Sequence, residues 1–223
     1  MELERAFTYI WKDPDWLKKL AIGGALAITG IGGIALMGWL AEMSRRVAHQ
    51  EEESLPEWDQ IGDFLLNGLK FIGVILVWTS PVIILSIIFS LIPAWMMFAI
   101  PEDGQGAAIA MISILVTCFW GFFMIYILAV NLIIPPLWVP VAEGVPFREL
   151  VNPQNSWSLF KANAGGFIVA LLIGSLAGSL MSMAGVVLCV IGVFVTMVAA
   201  QLVLAHLIGQ ATAQAREAGT TVI

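Results

Sequence analysis

The chain has 223 residues, of which 60% are hydrophobic and 12% charged, against about 45 to 50% apolar in an ordinary soluble domain. A water-soluble fold of this length has to present a mostly polar surface, and a mean hydropathy of +0.93 excludes that. Lipid is therefore the expected solvent, and a net charge of -6 with only ten Lys and Arg leaves no basic stripe for nucleic acid.

The opening MELERAFTYIWKDPDW is amphipathic and partly acidic. It lacks the basic start, apolar run and cleavage site of a signal peptide, so it is expected to stay on the mature protein. Leu3, Ala6, Phe7, Ile10 and Trp11 fall on one helical face, which predicts an interfacial helix within residues 1–19. Residues 20–41 contain no Asp, Glu, Lys or Arg and suit one crossing. Yet Gly23-Gly24, Thr29-Gly30 and Gly32-Gly33 divide them into halves too short to span. A re-entrant hairpin and a fifth span are the two readings. Cytoplasmic loops hold the excess of Lys and Arg. Only the hairpin leaves Arg5, Lys12, Lys18, Lys19, Arg45, Arg46, Lys70, Arg148, Lys161 and Arg216 on one side. The expectation is a re-entrant first unit in a multi-pass protein of the inner (cytoplasmic) membrane, both termini cytoplasmic.

Glu51-Glu52-Glu53 and the neighbouring His49 read as a solvated loop. Over 57–70, Trp58, Ile61, Leu65 and Leu69 form an apolar stripe opposite Asp59, Asp63, Asn67 and Lys70, which predicts a surface helix lying flat on the membrane. The uncharged segments 71–101 and 104–142 hold one span each, and 162–215 holds two. Pro81 and Pro93 are expected to kink the first of these spans, with its Pro93 end at the far interface. The next should break between Asn131 and Pro135-Pro136. A turn is expected near Ser182 to Gly185, and 101–106 should form an outer loop. Gly166, Ala170, Gly174, Gly178 and Ser182 recur every fourth residue, a smooth face for helix packing.

One device repeats: Asp13-Pro14-Asp15-Trp16, Leu55-Pro56-Glu57-Trp58 and Asn152-Pro153-Gln-Asn-Ser-Trp157. Asp13 and Asn152 fit helix N-caps followed by proline, and Trp16, Trp58 and Trp157 suit headgroup depth as interface anchors. The whole reads as an all-α polytopic protein: four crossings, a Gly-rich first unit and interfacial amphipathic helices. Its single membrane domain, 1–223, comprises the first unit (20–47), two helical hairpins (55–142 and 147–215) and a tail (216–223).

Catalysis needs clustered donors, and the chain has two histidines. Cys118 and Cys189 lie in apolar runs as small hydrophobes. No enzymatic activity, cofactor or metal is expected, and spans without ionisable residues argue against a proton-coupled pump. Thr79, Ser80, Ser86, Ser90, Ser113, Thr117, Asn131 and Thr196 could satisfy helix contacts or line a modest neutral pore. Asn131, His206 and Gln210 form the candidate polar intramembrane site. The expected role is a non-enzymatic accessory, packing or scaffold component. Its partner is the lipid bilayer, within a homo-oligomer or larger membrane complex. A passive transporter or channel for a neutral small solute or lipid is the alternative.

The run Asp13-Pro14-Asp15-Trp16-Leu17-Lys18-Lys19-Leu20-Ala-Ile-Gly-Gly, then Arg45-Arg46, then Leu55-Pro56-Glu57-Trp58-Asp59-Gln-Ile-Gly62-Asp63-Phe64 with Gly68-Leu69-Lys70, resembles the prokaryotic integral membrane proteins catalogued as domain of unknown function 4013. The closing Ala205-His206-Leu207-Ile208-Gly209-Gln210 is similar to that family's ending. The family usually carries a proline where this chain has Thr29-Gly30-Ile-Gly32-Gly33; the replacement keeps a helix breaker. The resemblance implies a fold, with no substrate or reaction attached.

Overall fold

The computed structural model describes residues 2–51, 54–99, 105–187 and 189–218, which form helices and connecting turns. In chain order these are α1 (Leu3–Lys12), α2 (Trp16–Ile28), α3 (Gly30–Ala48), α4 (Ile61–Ala99), α5 (Gln105–Ile133), α6 (Trp138–Ala142), α7 (Phe147–Leu150), α8 (Pro153–Ala162), α9 (Ala164–Val187) and α10 (Cys189–Glu217). Among the described residues, four stretches are long and apolar enough to cross a membrane: Trp58–Ile92, Ile109–Ala142, Ala164–Val187 and Gly192–Glu217. The protein is all-α and built as a multi-pass membrane protein. Two compact units divide it, one taking the chain up to Val74 and again from Leu132, the other Ile75–Asn131.

In the larger unit the Gly-rich segment is broken in two. Thr29 is extended, with φ -93° and ψ 139°. Its backbone N–H closes α2 on the Leu26 carbonyl, and its hydroxyl caps α3 by accepting from Gly32 N–H at 3.1 Å. The chain then folds back. A methyl on Gly23 would meet Leu36 Cδ1 at 3.5 Å and Val198 Cγ1 at 3.1 Å, so α2 lies antiparallel against α3 and both rest on α10. At 13 residues, α2 is about 20 Å long, too short to cross alone.

The base of this hairpin is tied by the first two copies of the repeated device. Asp13 is not an N-cap, because α2 begins only at Trp16. Instead Asp13 accepts from Lys19 Nζ at 2.8 Å and from the backbone N–H of Asp15 and Leu55 at 2.8 and 2.9 Å. Lys19 also donates to the Leu55 carbonyl at 2.9 Å and pairs with Glu57 at 2.5 Å. Burial opposes both charges, yet these partners outweigh it. They hold the Asp13 carboxyl below its ordinary range and the Lys19 ammonium above its own. Trp58, expected at headgroup depth, is partly buried: it stacks on buried Trp39 at 4.7 Å and donates to the Lys19 carbonyl. Trp16 is partly buried and meets Trp11 edge-on, whereas Trp157 stays exposed beneath Lys161. Asn152 does cap α8, as expected.

No flat surface helix precedes α4. A single 3-10 turn, Trp58–Gln60, runs directly into it, because nothing from Ile61 to Lys70 breaks helix and the segment packs on α3. That packing is backbone on backbone. Any side chain at Gly38 would overlap the Phe64 carbonyl, and any at Gly68 the Ile34 carbonyl.

In the smaller unit α4 continues through Pro81. Proline removes the N–H that would bond four residues back, and Ser80 Oγ donates to that freed Val77 carbonyl at 2.8 Å. We expect Ser80→Ala to cost about 1 kcal/mol in detergent unfolding, and nothing when Pro81→Ala restores the backbone donor. Pro93 is also within helix, but its side chain lies outside the described residues, as do residues 100–104 of the expected outer loop. Thr79, Ser90, Ser113 and Thr117 each donate to a carbonyl three or four residues back. They bond to their own helices. Exposed Cys118 is also here; the Cys189 side chain is outside the described residues.

After α5 the expected break occurs at Pro135–Leu137, a 3-10 turn leading into α6. The turn expected at Ser182 to Gly185 does not: α9 continues to Val187. Gly185 is small because α10 passes against it, with Val193 Cα 2.8 Å from where a Cβ would sit. The fourfold stripe is also corrected. Four residues turn a helix by about 40° beyond a full circle, so the row drifts off the interface. Ala170 and Gly174 face inward, but Gly166 lies against its own Asn163, Gly178 meets nothing within 4 Å and Ser182 is exposed. The inward row is Phe167, Ala170, Gly174, Ala177 and Gly185.

Candidate polar site at the charged end of the larger unit

His206 and Gln210 stand one turn apart on α10 and share a face. Both line a cavity of about 570 Å³ between α1, α3 and α10, with Glu2, Arg5, Gln50 and Glu217 around it. Such a volume suits a small ligand. Asn131 belongs to the other unit: it is exposed, and its amide donates to the Ile127 carbonyl of its own helix at 2.9 Å.

One wall of the cavity, through Glu2 and Arg5, comes from the segment of α1, which was expected to lie in the membrane plane on a face including Ala6 and Ile10. Those two residues are buried with Tyr9, while Leu3, Phe7 and Trp11 are 40, 38 and 60% exposed. The apolar surface is wide enough to serve two environments. Tyr9 stacks on His206 at 4.4 Å and donates its hydroxyl to the Leu202 carbonyl at 3.0 Å. Burial pushes its phenol well above the ordinary value, keeping it a donor. His206 is 3% exposed as a result. Gln210 grips the start of α1 with both amide ends: the Glu2 N–H donates to Oε1 at 2.8 Å, and Nε2 donates to the Glu2 carbonyl at 3.1 Å.

Beside the cavity lies a charged cluster. Arg216 Nη2 reaches both oxygens of Glu143, at 2.6 and 2.8 Å. His49 Nε2 is 2.6 Å from the same carboxylate and 3.2 Å from Arg216 Nη1. His49 was expected to be merely solvated; it joins the ends of α3, α6 and α10. Arg45 pairs with Glu42 and Glu51, each at 2.8 Å, and Arg46 with Glu42 at 3.1 Å. Burial opposes the charge on Glu42, but the two arginines hold its carboxyl below the ordinary range. Residues 52–53 of the acidic run lie outside the described residues. Asn163 donates to the Ala211 carbonyl and to Gln214, which brings the start of α9 to this same end. Neither Glu143 nor Tyr9 carried a signal in the sequence: one follows an apolar tail, the other is a lone polar tip on an apolar face.

Among the described residues no three His, Cys, Asp or Glu gather as a metal site would require. A family model described as Protein of unknown function (DUF4013) matches residues 21–208. The chain belongs to that family. No curated protein and no solved structure matches it. The DUF4013 match takes in the hairpin, the Gly38/Gly68 crossing and His206, while α1, Gln210 and Arg216 lie outside its bounds.

Proposed function

We propose that the protein is a non-enzymatic membrane component with an accessory, packing or scaffold role. The observation that carries this reading is the use made of its polar side chains. Asp13, Lys19, Trp39, Tyr9, Gln210 and Arg216 all bond to distant parts of the same chain. Side chains committed in this way fix one rigid shape and leave few groups for chemistry. The closely packed larger unit offers a firm platform, and the membrane-suited helices offer apolar outer faces such as Leu172, Leu176 and Leu180 of α9 to lipid, a second copy or another membrane protein. The protein's mass after gentle detergent extraction tests the reading. A homo-oligomer or larger assembly is expected, and a lone monomer would count against it.

The cavity lined by His206 and Gln210 favours a second reading, passage of a neutral small solute or lipid. Flux in liposomes unchanged by combined His206→Ala, Gln210→Ala and Asn131→Ala replacement would remove it. The inner membrane with both termini cytoplasmic is the matching localisation. It is supported by the meeting of Arg45, Arg46 and Arg216 with their partners at one end of the larger unit.

A further inference from the structure

The cavity beside His206 has its carboxylates engaged within the chain, Glu2 with Arg5, Glu51 with Arg45 and Glu217 with the Gln50 amide. A second cleft differs. It encloses about 310 Å³ between the start of α2 and the 3-10 turn ahead of α4, near the lower end for a small-ligand site. Its floor is preformed: buried Lys19 is fastened to Asp13, the Leu55 carbonyl and Glu57, and Trp58 donates to the Lys19 carbonyl at 3.1 Å. Around that floor stand Asp15, Lys18 and Asp59, all exposed. Among the described residues none of these three side chains has an ion-pair or hydrogen-bond partner, and Asp15 does not cap α2 with its carboxylate.

The geometry points to this cleft as a seat for the headgroup of an amine-bearing phospholipid, with the ammonium among Asp15, Glu57 and Asp59 and the phosphate at Lys18. Three carboxylates against Lys18 and Lys19 leave the lining negative. An anionic headgroup would add to that charge, whereas a zwitterion answers both signs. A single metal ion does not fit, since among the described residues no three His, Cys, Asp or Glu gather as a metal site requires. A primary ammonium can donate to several carboxylates at once. A quaternary one has no N–H and relies on ring faces; Trp58, the ring in this lining, already has Trp39 stacked on it at 4.7 Å. Lipid is the source because the charged rim is flanked along the chain by exposed apolar residues. Leu17 beside Lys18 is 59% exposed and Ile61, just past Asp59, 46%. Ile22 extends the lining a turn further along α2, which carries no charge beyond Lys19. Such a mixed surface suits the depth where headgroups meet acyl chains. The proposal goes beyond the scaffold reading and does not depend on it, since headgroup binding is read separately from the mass of the assembly.

Native mass spectrometry of the full chain in detergent micelles tests it, with titrations of phosphatidylethanolamine, phosphatidylcholine, phosphatidylglycerol and the chain-free glycerophosphoethanolamine. Phosphatidylethanolamine is expected to bind at least about fivefold more tightly than either other lipid, the worth of about one hydrogen bond. Glycerophosphoethanolamine should bind at least about tenfold more weakly than phosphatidylethanolamine, because it leaves the apolar flank uncovered. Lys18→Ala, and Asp15→Asn combined with Asp59→Asn, should each lower phosphatidylethanolamine affinity about fivefold. Both variants should keep the native circular dichroism, since these side chains hold no other part of the chain. Lys161→Ala, which removes an exposed lysine lying over Trp157 in α8, should leave the affinity unchanged. Phosphatidylcholine or phosphatidylglycerol binding as tightly as phosphatidylethanolamine would overturn the proposal on the native chain alone. Glycerophosphoethanolamine binding as tightly would overturn the assignment to lipid, and folded variants that bind like the native chain would overturn the site.

Discussion

Replacing Lys19 with methionine is expected to lower stability by about 3 to 5 kcal/mol, because it leaves the Asp13 carboxylate buried without its cation. Lys19 is 4% and Asp13 2% exposed, so water cannot take over. The sign of the pH dependence separates this from a simple packing loss. The Asp13 carboxyl is held below its ordinary range, so its contribution is present above about pH 4 and is lost as pH falls through the lower folded value. Lys19 is held above its ordinary range. Its contribution is present below about pH 10 and is lost only as pH rises through the higher folded value. In Lys19→Met the remaining carboxyl resists ionisation, so acid should relieve the defect rather than add to it. Unfolding in mixed micelles from about pH 7 down to about pH 3 checks this. Native stability should fall and variant stability rise; parallel curves would show that the ion pair does not tie the hairpin. Adding Asp13→Asn to Lys19→Met should recover much of the loss.

Gly38→Ala and Gly68→Ala are each expected to destabilise by about 3 kcal/mol, at the upper end for overpacking. The new methyl would meet a main-chain carbonyl of the opposing helix, Phe64 or Ile34, rather than a side chain that can rotate away. Helix propensity acts in the other direction, since alanine is better than glycine within a helix by about 1 kcal/mol. Gly33→Ala isolates that term. Gly33 is in the same α3 and has nothing within 4 Å of a new Cβ, so this variant should hold or gain stability. Equal effects at Gly33 and Gly38 would mean that α3 and α4 do not cross at their backbones.

Much of this architecture was legible from composition alone. Three charge-free stretches, the last long enough for two spans, gave four helices suited to cross, and Thr29 among its glycines marked the break between α2 and α3. Period-based reading failed where a residue's partner lay far along the chain. The stacking of Trp58 on Trp39 has no sign in the spacing of either residue. The Ser182 to Gly185 segment reads as a turn, although its glycine admits α10. The candidate site was half visible. His206 and Gln210 share a face by spacing, but Tyr9 reaches His206, and Glu2 reaches Gln210, from far earlier in the chain. His49 reads as a loop residue because Glu143 and Arg216, its partners, belong to other segments.

The folding back of residues 20–41, which returns the end of α3 to the side of α1, is tested most directly by sidedness. In a chain carrying Cys118→Ser and Cys189→Ser, single cysteines replace Glu4 in the first turn of α1 and Arg46 in the last turn of α3. A membrane-impermeant thiol reagent is then applied to intact cells and to inverted vesicles. Both positions are expected to be shielded in cells and labelled in inverted vesicles; labelling of the two from opposite sides would contradict the hairpin.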